Sequence, residues 1–304
     1  MDTNVTNADT RAAIGVALRK TAMLATVTIG MWSGARGDKD IIDKAKADAG
    51  AVGNVGRAYK NMLAGADTNL KAAQAAFTAV RTAHYDLTLP WMANPNADRK
   101  RGPRMLATAL FDRYAGEMGS RKKLAIDALE TFIAGYPDDI VKAKQNLAAL
   151  ADAVYPTEAE VRAQFHIDYE FAPMPAGNDF QGLPETTLRA LGLYMEGRQK
   201  IMLDGARRAM ITEIRDRVGL LAERLATEDG AFRASTVEAV RELTTLLPAW
   251  NLEGEAEIER INAAISTMMT GTTADGIRED KAERTHVATQ AQAIVEMVGK
   301  LRLP

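Results

Sequence analysis

The sequence contains no cysteine, which removes disulfide staples, thiolate nucleophiles, iron–sulfur clusters and cysteine-based zinc sites together. Histidine is scarce as well, with only His84, His166 and His286, so an imidazole-based metal or acid–base site has little to draw on. Proline numbers 10 and aromatic residues make up 6%. No apolar run is long enough for a bilayer: the richest, Ala22 to Trp32, is about half of the ~20 residues a span needs and includes two threonines. Positive charge is missing in bulk, since 38 Lys and Arg face 40 Asp and Glu for a formal net charge of −2. No global field therefore draws in polyanions, and any nucleic-acid contact has to be local. The opening MDTNVTNADT carries acids and amides in place of the basic start and apolar core of a cleaved signal. These absences lead to the expectation of a cytoplasmic protein with no membrane partner and no cofactor.

What is present is helix-forming sequence. At 304 residues, 47% apolar and 26% charged, the chain can bury a sizeable core in one large or two ordinary domains. Long runs rich in Ala, Leu, Lys, Arg and Glu favour a mainly all-α class. Helices are expected over about 9–23, over 39–49 capped by Asp38, over 68–85 with Leu70, Ala73, Phe77, Val80 and His84 on one stripe, and over about 105–135. Another should start at Pro137, and Thr157-Glu-Ala-Glu160 reads as a capping box. The longest pattern runs from Glu185 to about Ala226, with Leu188, Leu191, Met195, Met202, Ala206, Met210, Ile214, Leu221 and Leu225 spaced by threes, fours and sevens. Further helices are expected over 235–247, 254–269 and 279–301. The division that follows is a helical domain over 1–184 and a long-helix bundle or coiled-coil arm over 185–304.

Two stretches read as strands by period-2 alternation. Val27, Ile29 and Met31 alternate within 25–32, and Phe165, Ile167, Tyr169 and Phe171 within 165–171. A lone strand leaves its backbone groups unsatisfied, so the two are expected to pair as a small β element. Gly34 to Asp38 reads as a turn. Gly50, Gly53 and Gly56 read as a joint before a short helix carrying Arg57 and Lys60, because no Lys-Ser/Thr pair follows them as a phosphate loop requires.

Chemistry-bearing patterns are few. His166, Asp168 and Glu170 project from one strand face, a ligand set on paper, with a solvated polar face as the plainer reading. No nucleophile elbow appears, and Asp138, Asp139, Glu158 and Glu160 stand where helix starts favour negative charge. The basic clusters carry more. Arg99, Lys100, Arg101 and Arg104 fall in a loop beside Trp91, and Arg121, Lys122 and Lys123 on the helix that follows. One face could then combine phosphate contacts with an aromatic platform for stacking bases, the combination single-strand binders use. A merely solvated loop, or a surface for a protein partner, are the competing readings. Met195, Met202, Met210, Met268 and Met269 read as adaptable core, in a seam that meets another helix of the same chain or a second subunit.

Several segments carry a family likeness: Met31-Trp-Ser-Gly-Ala-Arg-Gly-Asp38, Gly56-Arg-Ala-Tyr-Lys60, His84-Tyr-Asp-Leu-Thr-Leu-Pro-Trp91, Phe132-Ile-Ala-Gly-Tyr-Pro137, Tyr155-Pro-Thr-Glu-Ala-Glu-Val-Arg162-Ala-Gln-Phe165, Pro173-Met-Pro175 and Asp179-Phe180. Together they resemble a domain-of-unknown-function family of bacteriophages and integrative or conjugative elements. The likeness covers most of 25–185 and is weak afterwards. It implies a genomic setting near recombination functions, MoxR-like AAA+ ATPases and von Willebrand A-domain proteins, and it implies no catalytic residues. The functional expectation is a non-catalytic phage or mobile-element protein that forms a homo-oligomer and binds nucleic acid, single-stranded DNA by preference. Alternatives are a structural or scaffolding protein built from helical arms, or an adaptor for a MoxR-like AAA+ ATPase.

Overall fold

A computed structural model of the chain describes residues 18–53, 56–91, 102–151, 154–175, 179, 182–227 and 231–301. Among the described residues 70% are helical, as the composition implies. The strands are β1 (Ala22–Gly30), β2 (Ala35–Gly37), β3 (Tyr59–Asn61), β4 (Leu89–Pro90), β5 (Arg104–Ala107) and β6 (His166–Pro173). The helices are α1 (Lys39–Ala49), α2 (Thr68–Leu87), α3 (Phe111–Leu147), α4 (Glu158–Ala163), α5 (Glu185–Ala226), α6 (Ala234–Trp250), α7 (Ala256–Met269), α8 (Ala274–Glu279) and α9 (Lys281–Gly299).

The expected pairing of the two alternating stretches is present, with β1 beside β6. The sheet is larger than expected, however, with four strands in the order β4-β5-β1-β6, and β2 and β3 form a separate two-stranded sheet. β1 runs antiparallel to β5, Ala22 opposite Ala107 and Ala25 opposite Arg104. β4 runs antiparallel to β5 on its other side, Leu89 opposite Met105. Met105–Ala107 was expected to open a helix, and Arg104 to close the loop before it. All four residues of β5 are buried, and a central strand flanked on both sides overrides a local helix propensity.

The chain divides into two compact units, but not at residue 184. One comprises 1–26, 87–113 and 170–304, the other 27–86 and 114–169. In the second, the α2 stripe forms as expected: Leu70, Ala73, Phe77 and Val80 are 0–3% exposed. Phe77 packs edge-on to Phe165 at 5.1 Å between centroids, and Trp32 stacks on Phe132 at 6.1 Å. α3 continues unbroken through Pro137, where a new helix was expected. A helix-interior proline costs about 3 kcal/mol, but Phe132, Ile133 and Tyr136 before it and Asp139 and Ala143 after it are all buried, and this packing holds both sides in one helix. Arg36-Gly37-Asp38 begins on β2 and Lys60 lies on β3, paired from Ala35↔Asn61 to Gly37↔Tyr59, so the expected turn and short helix instead contribute to two paired strands. Gly34, at φ +68, leaves its Cβ position about 2.5 Å from Leu70 Cδ2, a site open only to glycine. The expected caps are in place: Asp38 accepts from the amides of Asp40 and Ile41, and Thr157 with Glu160 completes the box.

In the first unit, α5 spans the residues expected of it. It packs chiefly against α9, α6 also packs on α5, and α7 packs on α6. The core comprises Ile214, Val218, Leu221, Val237, Val240, Leu243, Leu246, Ile265 and Ile294, each 0–2% exposed. Among the described residues, no helix is long and apolar enough to cross a membrane.

Candidate functional site

The aromatic half of the expected interface is not at the surface. Trp91 directly follows β4 and is 4% exposed, so its ring offers no face to a base. Arg104 sits on β5 and is 7% exposed. Its Nε donates to Thr88 Oγ1 at 2.7 Å and its Nη2 to the Thr88 carbonyl at 2.6 Å. The guanidinium thus satisfies the backbone where α2 gives way to β4, a structural task in place of the phosphate contact expected. Arg99, Lys100 and Arg101 lie outside the described residues.

On α3 the three remaining cations take separate tasks. Arg121 pairs with Glu117 at 2.8 Å and Lys123 with Asp127 at 2.8 Å, one helical turn away in each case. Lys122 Nζ donates to the Ile167 carbonyl at 3.3 Å and lies 5.1 Å from the centre of the Tyr169 ring. Arg121 and Lys123 remain about half or more exposed and can exchange partners at little cost. Lys122 is held against β6. The polar strand face of His166, Asp168 and Glu170 gathers no ligand set: among the described residues, no group of three or more His, Asp or Glu side chains is placed to hold a metal. The His166 ring lies against Gly30, where a Cβ would come within about 2.1 Å of it.

Two features were not anticipated. The first is a cleft of about 490 Å³ between the β2–β3 strand pair and α1, lined by Asp38, Lys39, Asp43, Lys46, Arg57 and Tyr59 among others. Asp38 is committed to the α1 amides and to Lys60 at 3.5 Å. The remaining charged lining sets Lys39, Lys46 and Arg57 against Asp43, so it is cationic on balance, and Tyr59 beside it is 63% exposed. The signal for it lay in α1 itself, whose amphipathic pattern leads to no buried residue. The second is the opening half of α5. From Glu185 to Arg198 no residue is buried, yet Leu193 is 54%, Tyr194 60% and, a little further on, Ile201 45% exposed.

Two buried groups in the second unit have perturbed protonation. Burial, with Tyr155 and Glu160 as like-charged neighbours, pushes the Tyr136 phenol up to about 12, and its hydroxyl donates to the Pro156 carbonyl at 2.9 Å. Asp139, 6% exposed, has an Oδ2 with no hydrogen-bond partner among the described residues, and burial pushes its carboxyl above the ordinary range.

No family model, curated protein or solved structure matches this chain.

Proposed function

We propose that this is a helical assembly protein that self-associates through the opening half of α5. The observation that carries the reading is the run from Glu185 to Ile201, which keeps a helix's apolar spacing but buries only Gln199. Water-exposed Leu, Tyr and Ile side chains in one run mark a contact surface more often than a chance of composition. The mobile-element setting implied by the family likeness accords with a scaffolding or structural role. Light scattering on the eluting peak is the test. Mass should rise with loading for the parent chain and stay at one chain for Leu193→Asp/Tyr194→Asp; a parent chain that remains monomeric when concentrated rejects the proposal.

A second reading, nucleic-acid binding, is favoured by the cleft between α1 and the β2–β3 pair, where Lys39, Lys46 and Arg57 line a space beside the exposed Tyr59 ring. Cations that track phosphates next to a stacking ring suit a single strand. Titration with a labelled oligonucleotide at two salt concentrations tests it. Arg57→Ala/Tyr59→Ala should weaken binding about tenfold, and the Arg99/Lys100/Arg101 triple alanine reports on the loop cluster separately. No binding at low salt rejects this reading without touching the first.

A further inference from the structure

The opening half of α5 carries more than an exposed apolar stripe. Residues three, four and seven apart share a helix face. Ala190, Leu193, Tyr194, Gly197 and Ile201 therefore form one stripe, and all five are exposed. Along one edge of it run Glu185, Arg189, Glu196 and Lys200, at steps of four, seven and four, a single charged row.

We infer that this segment pairs antiparallel with the same segment of a second copy of the chain, in a register set by the charged row. The inference rests on the assembly reading and specifies its partner and geometry. When two identical helices pack antiparallel about a two-fold axis, each helix edge meets its own copy, and residue i stands opposite residue j with i + j constant. At the register that sets Glu185 opposite Lys200, Arg189 stands opposite Glu196. All four charges of the row then face the opposite sign, twice over by symmetry. The register that centres the apolar stripe, Leu193 opposite Tyr194 and Ala190 opposite Gly197, differs by two residues, or about 3 Å of helix. Long side chains span that offset. A parallel pair would turn the row toward the other edge, which presents Thr187 and Arg198, and the sign match is lost.

The ion pairs within one chain accord with this. Arg189 reaches Glu185 at 3.2 Å and Lys200 reaches Asp204 at 3.3 Å. Arg189, Glu185 and Lys200 are each 70% or more exposed, so these contacts are readily exchanged. Glu196 differs, because its Oε2 is shielded from solvent and has no hydrogen-bond partner among the described residues. A second copy sets Arg189 opposite this side chain. One helix face is smaller than the roughly 800 Å² per partner of a standard interface, so dissociation in the micromolar range is expected.

Because the chain is free of cysteine, single introduced cysteines report geometry without background. Leu193→Cys, next to the two-fold, should give a disulfide-linked dimer on mild oxidation. Thr186→Cys should not, since at the charged-row register the two copies of residue 186 stand about 20 Å apart along the axis. Mixing Thr186→Cys with Ile201→Cys chains should give the mixed dimer, since residue 201 lies within about 3 Å along the axis of the position that faces 186. In sedimentation velocity over about 1–200 µM at low salt, Glu196→Lys should weaken association about tenfold. Adding Arg189→Glu should restore it, because the two facing positions then carry opposite charges again with their signs exchanged. Helical circular dichroism should be unchanged, as all these positions lie outside the core. Linking through Thr186→Cys alone as readily as through Leu193→Cys overturns the antiparallel register but leaves self-association standing. A chain that neither links nor associates at any concentration overturns both.

Discussion

The two halves of α5 share one helix and one spacing of apolar residues but not one environment. Between Leu203 and Leu225 ten residues are buried, three of them (Ile214, Val218 and Leu221) at 0% exposure, whereas between Glu185 and Arg198 none is. The cause is cover. Arg284 Nη2 donates to the carbonyls of Arg224 at 3.0 Å and Thr227 at 2.7 Å, which fixes the start of α9 at the end of α5. At 1.5 Å per residue the 19 residues of α9 extend about 28 Å and the 42 of α5 about 63 Å, so α9 runs out partway. Near that point Arg207 meets Glu255 through two bonds of 2.6 and 2.7 Å, and this fork holds the Arg207 guanidinium still more firmly protonated. Periodicity therefore says where a helix forms, and only the surrounding elements say which of its turns are already occupied.

The difference is broken or sharpened first by truncation in the covered half. Ile214→Ala should lose about 4 kcal/mol, the transfer and cavity cost of a core site that cannot collapse, read from urea denaturation at constant slope. A loss under about 1 kcal/mol would mean that the covered half is not the core it is taken for. Next in size is Arg104→Met, which leaves the Thr88 carbonyl to find another donor. About 2–3 kcal/mol should go, while Lys123→Met, at a cation paired on the surface, should move the same midpoint by less than about 0.5 kcal/mol. Equal effects would return Arg104 to the pool of surface cations.

A smaller effect of opposite sign is expected at Asp139. Its folded pKa lies above the ordinary value, first because of burial, with Asp138 adding to the rise and Lys142 opposing it. The folded chain therefore holds this proton more tightly than the unfolded chain does, and stability falls as pH rises from the unfolded value, about 3.9, through the folded one. Asp139→Asn cannot ionise. It should exceed the parent by about 1 kcal/mol above that window, and the gap should close on acidification, as followed by thermal unfolding across the pH range.

Much of the fold was legible. The bounds of α5, the Asp38 cap, the Thr157–Glu160 box and the β1–β6 pairing follow from spacing and capping chemistry, which are local. What was missed depends on tertiary context. Arg104–Ala107 carries helix-compatible residues but becomes a strand because β1 and β4 flank it, and Pro137 fails to break α3 because buried residues on both sides hold the helix. The site was less legible for a related reason. Charge density in a sequence does not distinguish a cation that faces water from one, such as Arg104, whose head satisfies buried backbone, and a tryptophan beside a basic loop is as ready to fill a core as to stack on a base. In the cleft at Arg57 and Tyr59 the cationic residues come from segments separated by a glycine-rich stretch, and the pairing of β2 with β3 that brings those segments together is long-range.

The smallest expected change is the most discriminating. Leu193→Ala removes an exposed side chain, so in dilute solution its unfolding free energy should lie within about 0.5 kcal/mol of the parent. At high concentration the two should part. Association that occurs only between folded chains stabilises them by mass action, so the parent midpoint should climb as protein concentration rises through the micromolar range, while that of Leu193→Ala stays flat. Ile214→Ala should show the reverse, a much lower midpoint that still climbs with concentration, since its opening half is intact. If both variants kept the parent's concentration dependence, the opening half of α5 would be a solvated helix end, and the two halves would differ in burial but not in role.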